Sequence, residues 1–419
     1  MPPTSLEIIA AVIFALAIIH IFSVKYFESI ANRSDKHAGL FHLLGEIEVV
    51  FGIWAMILVI FMFALSGKES TINYMNERSY IETMFVFVIM VMAATRPILN
   101  SVITLVKKLS NILPRKGATG FYFVVMAVVP IFGSLITEPA AMTLAALILS
   151  DKLFSQGISK KLKYMTLGAL FVNVSIGGTL TNFAAPPILM VAKTWDWSNY
   201  FMFMTFGWKA MVAIFINTSL IIVLFYKELS QITIRTSVSD KTAIPFSITL
   251  THYIFLFLVI FFGHYPPIFM SIFLLFLGVT YAYQQYQDRL MLREGLLVAF
   301  FLGGLVILGG MQEWWLKDLI SRMSNMEAFI SAITLGSFTD NAAITYLGSL
   351  VDGLSDEFKY YLVAGAVCGG GLTVIANAPN PAGVAILKSH FEDNTIDPRY
   401  LFLGAIVPTV IAALCFIIL

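Results

Sequence analysis

Two carboxylates stand inside apolar stretches of this chain, each within a copy of one short phrase. The first copy is Gly133-Ser134-Leu135-Ile136-Thr137-Glu138-Pro139-Ala140-Ala141-Met142-Thr143. The second, matching after a one-residue slip, is Gly336-Ser337-Phe338-Thr339-Asp340-Asn341-Ala342-Ala343-Ile344-Thr345. A further shared phrase follows each: Gly177-Gly178 ending at Ala185-Pro186, and Gly370-Gly371 ending at Ala378-Pro379, with equal internal spacing. A charged side chain at the centre of a membrane helix costs about 2.5–3.5 kcal/mol on insertion scales, so it is rarely kept without a task. Two acids at matching places in two halves point to a transporter with a central cation site.

Composition fixes the solvent around those acids. The chain is 58% hydrophobic and 12% charged, with a mean hydropathy of +0.85. Soluble domains sit near ~45–50% apolar and ~25% charged, so an all-α polytopic membrane protein, partnered by the lipid bilayer, is expected. A near balance of 26 basic and 25 acidic residues argues against a nucleic-acid partner. Cys368 and Cys415 offer neither a disulfide framework nor metal-ligand spacing, and Cys368 reads as a small packing residue. The start, Met1-Pro2-Pro3, lacks a basic n-region, so the first apolar stretch is expected to be a retained span.

Clear spans are expected at 5–24, 46–66, 200–226, 265–284, 293–311 and 399–418, with shorter ones at 80–95 and 248–263. Residues 119–153 and 326–352 are apolar but broken by the Thr-acid pair, which fits re-entrant helical hairpins. Residues 160–194 and 358–388 are broken by glycine pairs and by Pro186-Pro187 or Pro379-Asn380-Pro381, which fits discontinuous helices. Broken backbone at membrane depth is tolerated only where protein or a water-filled cavity satisfies it, so each break marks a site. With the N-terminus outside and each hairpin returning to its own side, nineteen of the 26 basic residues fall in cytoplasmic segments, including the linker 227–247. The two halves then form inverted-topology repeats whose hairpin tips approach each other near the midplane.

Glu138 and Asp340 lead the candidate site. Each can hold a proton or a hard cation in turn, with Thr137, Thr339, Ser134, Ser337 and Asn341 supplying oxygens nearby. The bland alternative is an acid that caps a hairpin helix. The broken helices add Gly177, Gly178, Thr179, Thr181 and Asn182, then Gly370, Gly371, Thr373, Asn377 and Asn380. Glycine permits sharp turns and exposed carbonyls that coordinate cations, although helix-packing glycines are also common. Asn173, one turn earlier, faces either the site or a neighbouring helix. Among accessory charges, Glu46 and Glu48 lie at the cytoplasmic interface or line a proton route, and Lys209 snorkels or acts as a counter-charge. His20 and Arg96 read as interfacial. Trp195, Trp197, Trp314 and Trp315 read as aromatic belts.

The hairpin, broken-helix and inverted-copy pattern resembles the ion transporter superfamily, which includes NhaD-type Na+/H+ antiporters, arsenite carriers of the ArsB type and divalent-anion/sodium symporters. Two phrases look most like the bacterial family catalogued as putative Na+/H+ antiporters: His42-Leu43-Leu44-Gly45-Glu46-Ile47-Glu48-Val49-Val50-Phe51-Gly52 and Asn377-Ala378-Pro379-Asn380-Pro381-Ala382-Gly383. The resemblance implies scaffold parts at 1–118 and 248–325 and transport cores at 119–226 and 326–419. It also implies an elevator-type mechanism, a homodimer and a bacterial inner-membrane location. Divalent-anion symporters carry Ser-Asn-Thr at their tips; this chain carries Ile-Thr-Glu-Pro and Phe-Thr-Asp-Asn, whose acids would repel a dicarboxylate.

The expected function is exchange of Na+ (or Li+ or K+) for protons, with no cofactor beyond the transported ions. The alternative keeps the fold but carries a small neutral or anionic solute coupled to Na+ or H+. No His-Glu-x-x-His, Gly-x-Ser-x-Gly or paired-Asp protease phrase supports a membrane-embedded enzyme.

Overall fold

Prolines and short polar residues set where the helices of this chain begin. Pro266, Pro186 and Pro398 open helices at positions where a missing N–H costs nothing. Ser159 and Ser355 accept from the backbone N–H groups of Leu162 and Phe358, and Ser324 forms a reciprocal capping box with Glu327. The computed structural model describes residues 3–31, 33, 37–112, 117–233 and 243–419; the central part of the expected linker 227–247 lies outside them. All regular structure among the described residues is helical.

The first stretch holds α1 (Ser5–Ala31), α2 (Ala38–Leu44), α3 (Ile47–Glu77), α4 (Ile81–Ala93) and α5 (Arg96–Ile112). Gly67, at φ 79°, breaks α3 where the apolar run ends. The segment after Arg96 is a helix rather than a loop, bent 63° from α4 and burying Ile98, Val102 and Val106. Next come α6 (Thr119–Phe123), a π-helical turn at Val124–Val128, α7 (Val129–Ile136), α8 (Glu138–Lys152) and α9 (Lys160–Gly177). They are followed by α10 (Pro186–Ala192), α11 (Asn199–Met202), α12 (Trp208–Leu224) and α13 (Tyr226–Gln231).

The later stretch holds α14 (Phe246–Phe261), α15 (Pro266–Ala282), α16 (Leu292–Gly309), α17 (Glu313–Ile320) and α18 (Asn325–Thr339). It ends with α19 (Asn341–Ser349), α20 (Asp356–Gly369), α21 (Asn380–Leu387) and α22 (Pro398–Ile418).

Six helices among the described residues are long and apolar enough to cross a membrane, or seven if the bent α4–α5 pair is one span. Their outward faces match that role. Along α1, the exposed Ile8, Val12, Leu16 and Ile19 form an apolar stripe at helical spacing. A soluble monomer rarely exposes such surface, whereas lipid covers it at no cost.

Packing sorts the helices into groups. One apolar core joins α1, α3 and α16 to the buried faces of α18–α20; another gathers α9, α10, α12, α20 and α22. Close approach depends on glycine: a Cβ on Gly304 would strike the backbone of Phe51, and one on Gly168 the backbone of Gly404. Segments rich in basic residues touch one another. Lys160 pairs with Glu392 at 2.6 Å, Ser159 donates to Glu228, and Arg293 pairs with Glu46.

Candidate functional site

Both expected hairpins contain a true break at the Thr-acid pair. Between α7 and α8 stands Thr137 at φ 75°, and between α18 and α19 stands Asp340 at φ 114°. Neither is glycine, and such conformations cost about 1–3 kcal/mol each and cluster at functional sites. The chain folds back at the first break. Ala141 Cβ lies 3.3 Å from where a Cβ on Gly133 would stand, although eight residues of continuous helix would separate them by about 12 Å.

These breaks correct the expected register. The repeated phrase pairs Glu138 with Asp340, but in space Thr137 and Asp340 are the two break residues, and Glu138 and Asn341 each open the following helix. The glycine runs shift by one residue the other way: α9 ends at Gly177 and α20 at Gly369, so Gly178 corresponds to Gly370. A Cβ on Gly178 would collide with Glu138 Oε1, and one on Gly370 with Asn341 Nδ2 and Ser175 Oγ. Each following helix also packs on the post-break helix of the other stretch, α8 on α21 and α19 on α10.

Glu138 is fully buried at the start of α8. Asn377 Nδ2 donates to its Oε2 at 2.8 Å, while Oε1 has no hydrogen-bond partner among the described residues. Three amide oxygens nearby share that condition: Asn341 Oδ1, Asn377 Oδ1 and Asn380 Oδ1, and with them the hydroxyl of Thr137. Their nitrogens are committed. Asn341 Nδ2 donates to Ser175 Oγ at 3.3 Å, and Asn380 Nδ2 to the carbonyls of Gly370 (2.8 Å) and Thr373 (2.9 Å). Buried polar atoms normally find partners, so a local excess of acceptors without donors marks a place for a proton or a cation.

Asp340 does something different. Its Oδ1 accepts from the N–H of Ala342 at 2.7 Å, so it caps α19, the bland role weighed for it from sequence. It also lines a cavity of about 10 Å³ with Asn377, Val298 and Phe301. A matching cavity of about 10 Å³ lies at the first break, between Thr137, Pro139 and Ala184 on one side and Val86, Ile89 and Met90 of α4 on the other. Each break thus faces an apolar wall, one from α4 and one from α16.

Around this centre the hydroxyls act as struts. Ser134 Oγ donates to Gly177 O at 2.6 Å and accepts from Leu180 N, and Thr181 donates to Ser134 O at 2.7 Å. Thr373 repeats the last contact on Ser337 O at 2.5 Å. Ser337 and Thr339 donate to carbonyls of their own helix, and Thr179 to Ile176 O. Gly371 serves close packing, since its Cβ would strike the backbone of Val172.

Other candidates lie elsewhere. Asn173 turns away from the breaks, donating to Met126 O in the π-helical turn (2.9 Å) and accepting from Asn217 (3.0 Å). A π-turn leaves carbonyls out of the α ladder, and Asn173 takes up one of them. Asn182 binds Trp197 O and accepts no role at the breaks. Lys209 donates to the Tyr360 hydroxyl at 2.9 Å and lies 4.6 Å from that ring's centroid. Glu46 pairs with Arg293 at the start of α16; Glu48 sits in the first turn of α3, its side chain outside the described residues. His20 is buried between Leu44 O and the Trp54 indole, and Trp197 packs inside against Phe201 and Phe206 instead of forming a belt. Ser175, which sequence reasoning missed, donates to Val367 O and meets Asn341; its place two residues before Gly177 was the available signal.

Compared with protein families, residues 5–419 match the sequence model of the family described as "Putative Na+/H+ antiporter". A comparison with curated proteins finds no match.

Proposed function

Because the chain belongs to this Na+/H+ antiporter family, we propose that it exchanges Na+ or a similar monovalent cation for protons at Glu138. The observation that carries this reading is the buried Glu138 Oε1, which has no hydrogen-bond partner among the described residues, a condition shared by the buried side-chain oxygens of Asn341, Asn377, Asn380 and Thr137. A lone buried carboxylate charge is costly, so the group is stable only when protonated or when a cation neutralises it. The two loads exclude each other, because a bound proton removes the charge that holds the cation. Mutual exclusion at one group is what couples opposite flows. Asp340, at the cap of α19, lines one cavity with Asn377, the residue that donates to Glu138, and adds a second carboxylate to that neighbourhood.

Size favours an ion over an organic solute. The cavities at the two breaks hold about 10 Å³ each, close to the room one water needs. The alike breaks and the reciprocal packing of α8 on α21 and α19 on α10 support inverted repeats with re-entrant hairpins. In our reading the units around the breaks move as a body past α4 and α16, in elevator fashion, within a homodimer in a bacterial inner membrane. The N-terminus lies outside.

The test is a pH-sensitive fluorophore in everted vesicles on adding Na+, Li+, K+ or Ca2+ in turn. Na+-driven proton movement is expected for the unaltered protein and none for Glu138→Gln. Full exchange by that variant would overturn the assignment.

A further inference from the structure

A cavity of about 400 Å³ opens between the start of α4, the end of α14 and the turn after α10. It runs toward the first break. Phe183 and Leu189 line both this cavity and the small one at Thr137. The α4 wall is continuous as well, with Glu82 and Phe85 in the wide part and Val86, Ile89 and Met90 in the narrow part. On the charge distribution of the loops, its mouth is on the outer side.

Glu82 stands in that mouth. Its side chain is only 14% exposed; Oε2 accepts from Ser79 Oγ at 2.8 Å, and Oε1 lies 4.0 Å from Lys193 Nζ. Lys193 is about half exposed and belongs to the end of α10, so this loose pair joins α4 to the helix whose start lines the small cavity at the first break. Asp196 and His264 complete the titratable groups lining the cavity. A half-enclosed cleft with two carboxylates and one lysine draws cations, and low-dielectric walls such as Phe85 and Phe183 focus that field.

We propose that this cavity is the outer vestibule for the transported cation, and that Glu82 is a positioning residue that collects the cation there. The arriving cation displaces Lys193 from Glu82 and passes between Phe183, Leu189 and α4 to the first break. The identity of the cargo rests on the antiport reading above; the existence of the route does not.

Two measurements separate these. With Na+ presented to the vestibule face in right-side-out vesicles, Glu82→Gln is expected to raise the KM for Na+ about threefold to tenfold. Its maximal rate should hold, and KM in everted vesicles should stay at the unaltered value. An unchanged KM at the vestibule face, or an equal rise at both faces, would overturn the role of Glu82. Independently, a membrane-impermeant maleimide should label Phe183→Cys from outside and spare Val374→Cys at the second cavity. Both native cysteines are buried, so background labelling is low. Absence of label on Phe183→Cys would overturn the vestibule. Label without Na+-driven proton movement in the unaltered protein would leave the vestibule standing and remove the antiport reading.

Discussion

The amide of Asn377 holds Glu138: Nδ2 donates to Oε2 at 2.8 Å, while Oε1 has no hydrogen-bond partner among the described residues. One residue comes from the stretch after the second glycine run and the other from the first repeated phrase. The carboxylate's geometry therefore depends on both stretches being in place.

Asn377→Ala removes the only described donor to Glu138. Hydrogen bonds to charged groups contribute about 1.5–3 kcal/mol, so cation affinity should fall about tenfold or more. The apparent KM for Na+ in the vesicle assay reads this directly. An unchanged KM would mean that Asn377 does not orient the carboxylate.

Asp340 carries two roles that substitution can separate. Asn caps helices about as well as Asp, so Asp340→Asn should leave the melting temperature close to the unaltered value while exchange drops. Asp340→Ala should lose exchange and also about 1 kcal/mol of stability. Full exchange by Asp340→Asn would reduce the residue to a cap.

Gly178 of the first run and Gly371 of the second should respond differently to the same added methyl group. A Cβ on Gly178 meets Glu138 Oε1, so Gly178→Ala should impair cation binding more than folding. On Gly371 a Cβ meets the Val172 backbone, and overpacking of that kind costs about 1–3 kcal/mol. Thermal unfolding and KM measured side by side should show opposite rankings.

His390 lies in the loop after α21, its Nε2 2.7 Å from Ser150 Oγ and its ring against Phe154. Burial and the nearby Lys163 ammonium hold its imidazole below the usual value of 6.5. The neutral form is thus favoured in the folded protein. Its contribution to stability is complete above that usual value and is lost as pH falls through the lower folded one. Melting temperature should decline on acidification below about pH 6.5, and His390→Gln should flatten that part of the curve.

Glu138 was legible in the sequence because a carboxylate inside an apolar phrase has few innocent explanations. The breaks were legible too, since Thr-acid pairs and Gly-Pro runs interrupt otherwise helical stretches. Register was not. A helix break absorbs a one-residue offset without penalty, so the likeness of Thr-Glu to Thr-Asp hid the spatial match of Glu138 with Asn341. Asn377 was visible only as a lining residue, because its partner stands 239 positions away. Asn173 shows the same limit from the other direction: periodicity places it near a break, but the π-helical turn that claims it carries no sequence mark. Glu82 opens α4 and Lys193 closes α10, and only the folded chain sets them together.

The glycine contacts also decide where the molecule can yield. Gly168 on Gly404 and Gly371 on Val172 bring α9, α20 and α22 together main chain to main chain, and Gly304 does the same for α3 and α16. Such joints are welded, because no rotamer can swing aside to let the helices pass. Along α4 and α16 the breaks instead meet movable side chains across two small voids. If transport displaces one unit against the other, the shear plane runs there. A short bifunctional thiol linker between Ile89→Cys and Ala184→Cys should then arrest turnover, and continued turnover after complete linking would put the plane elsewhere.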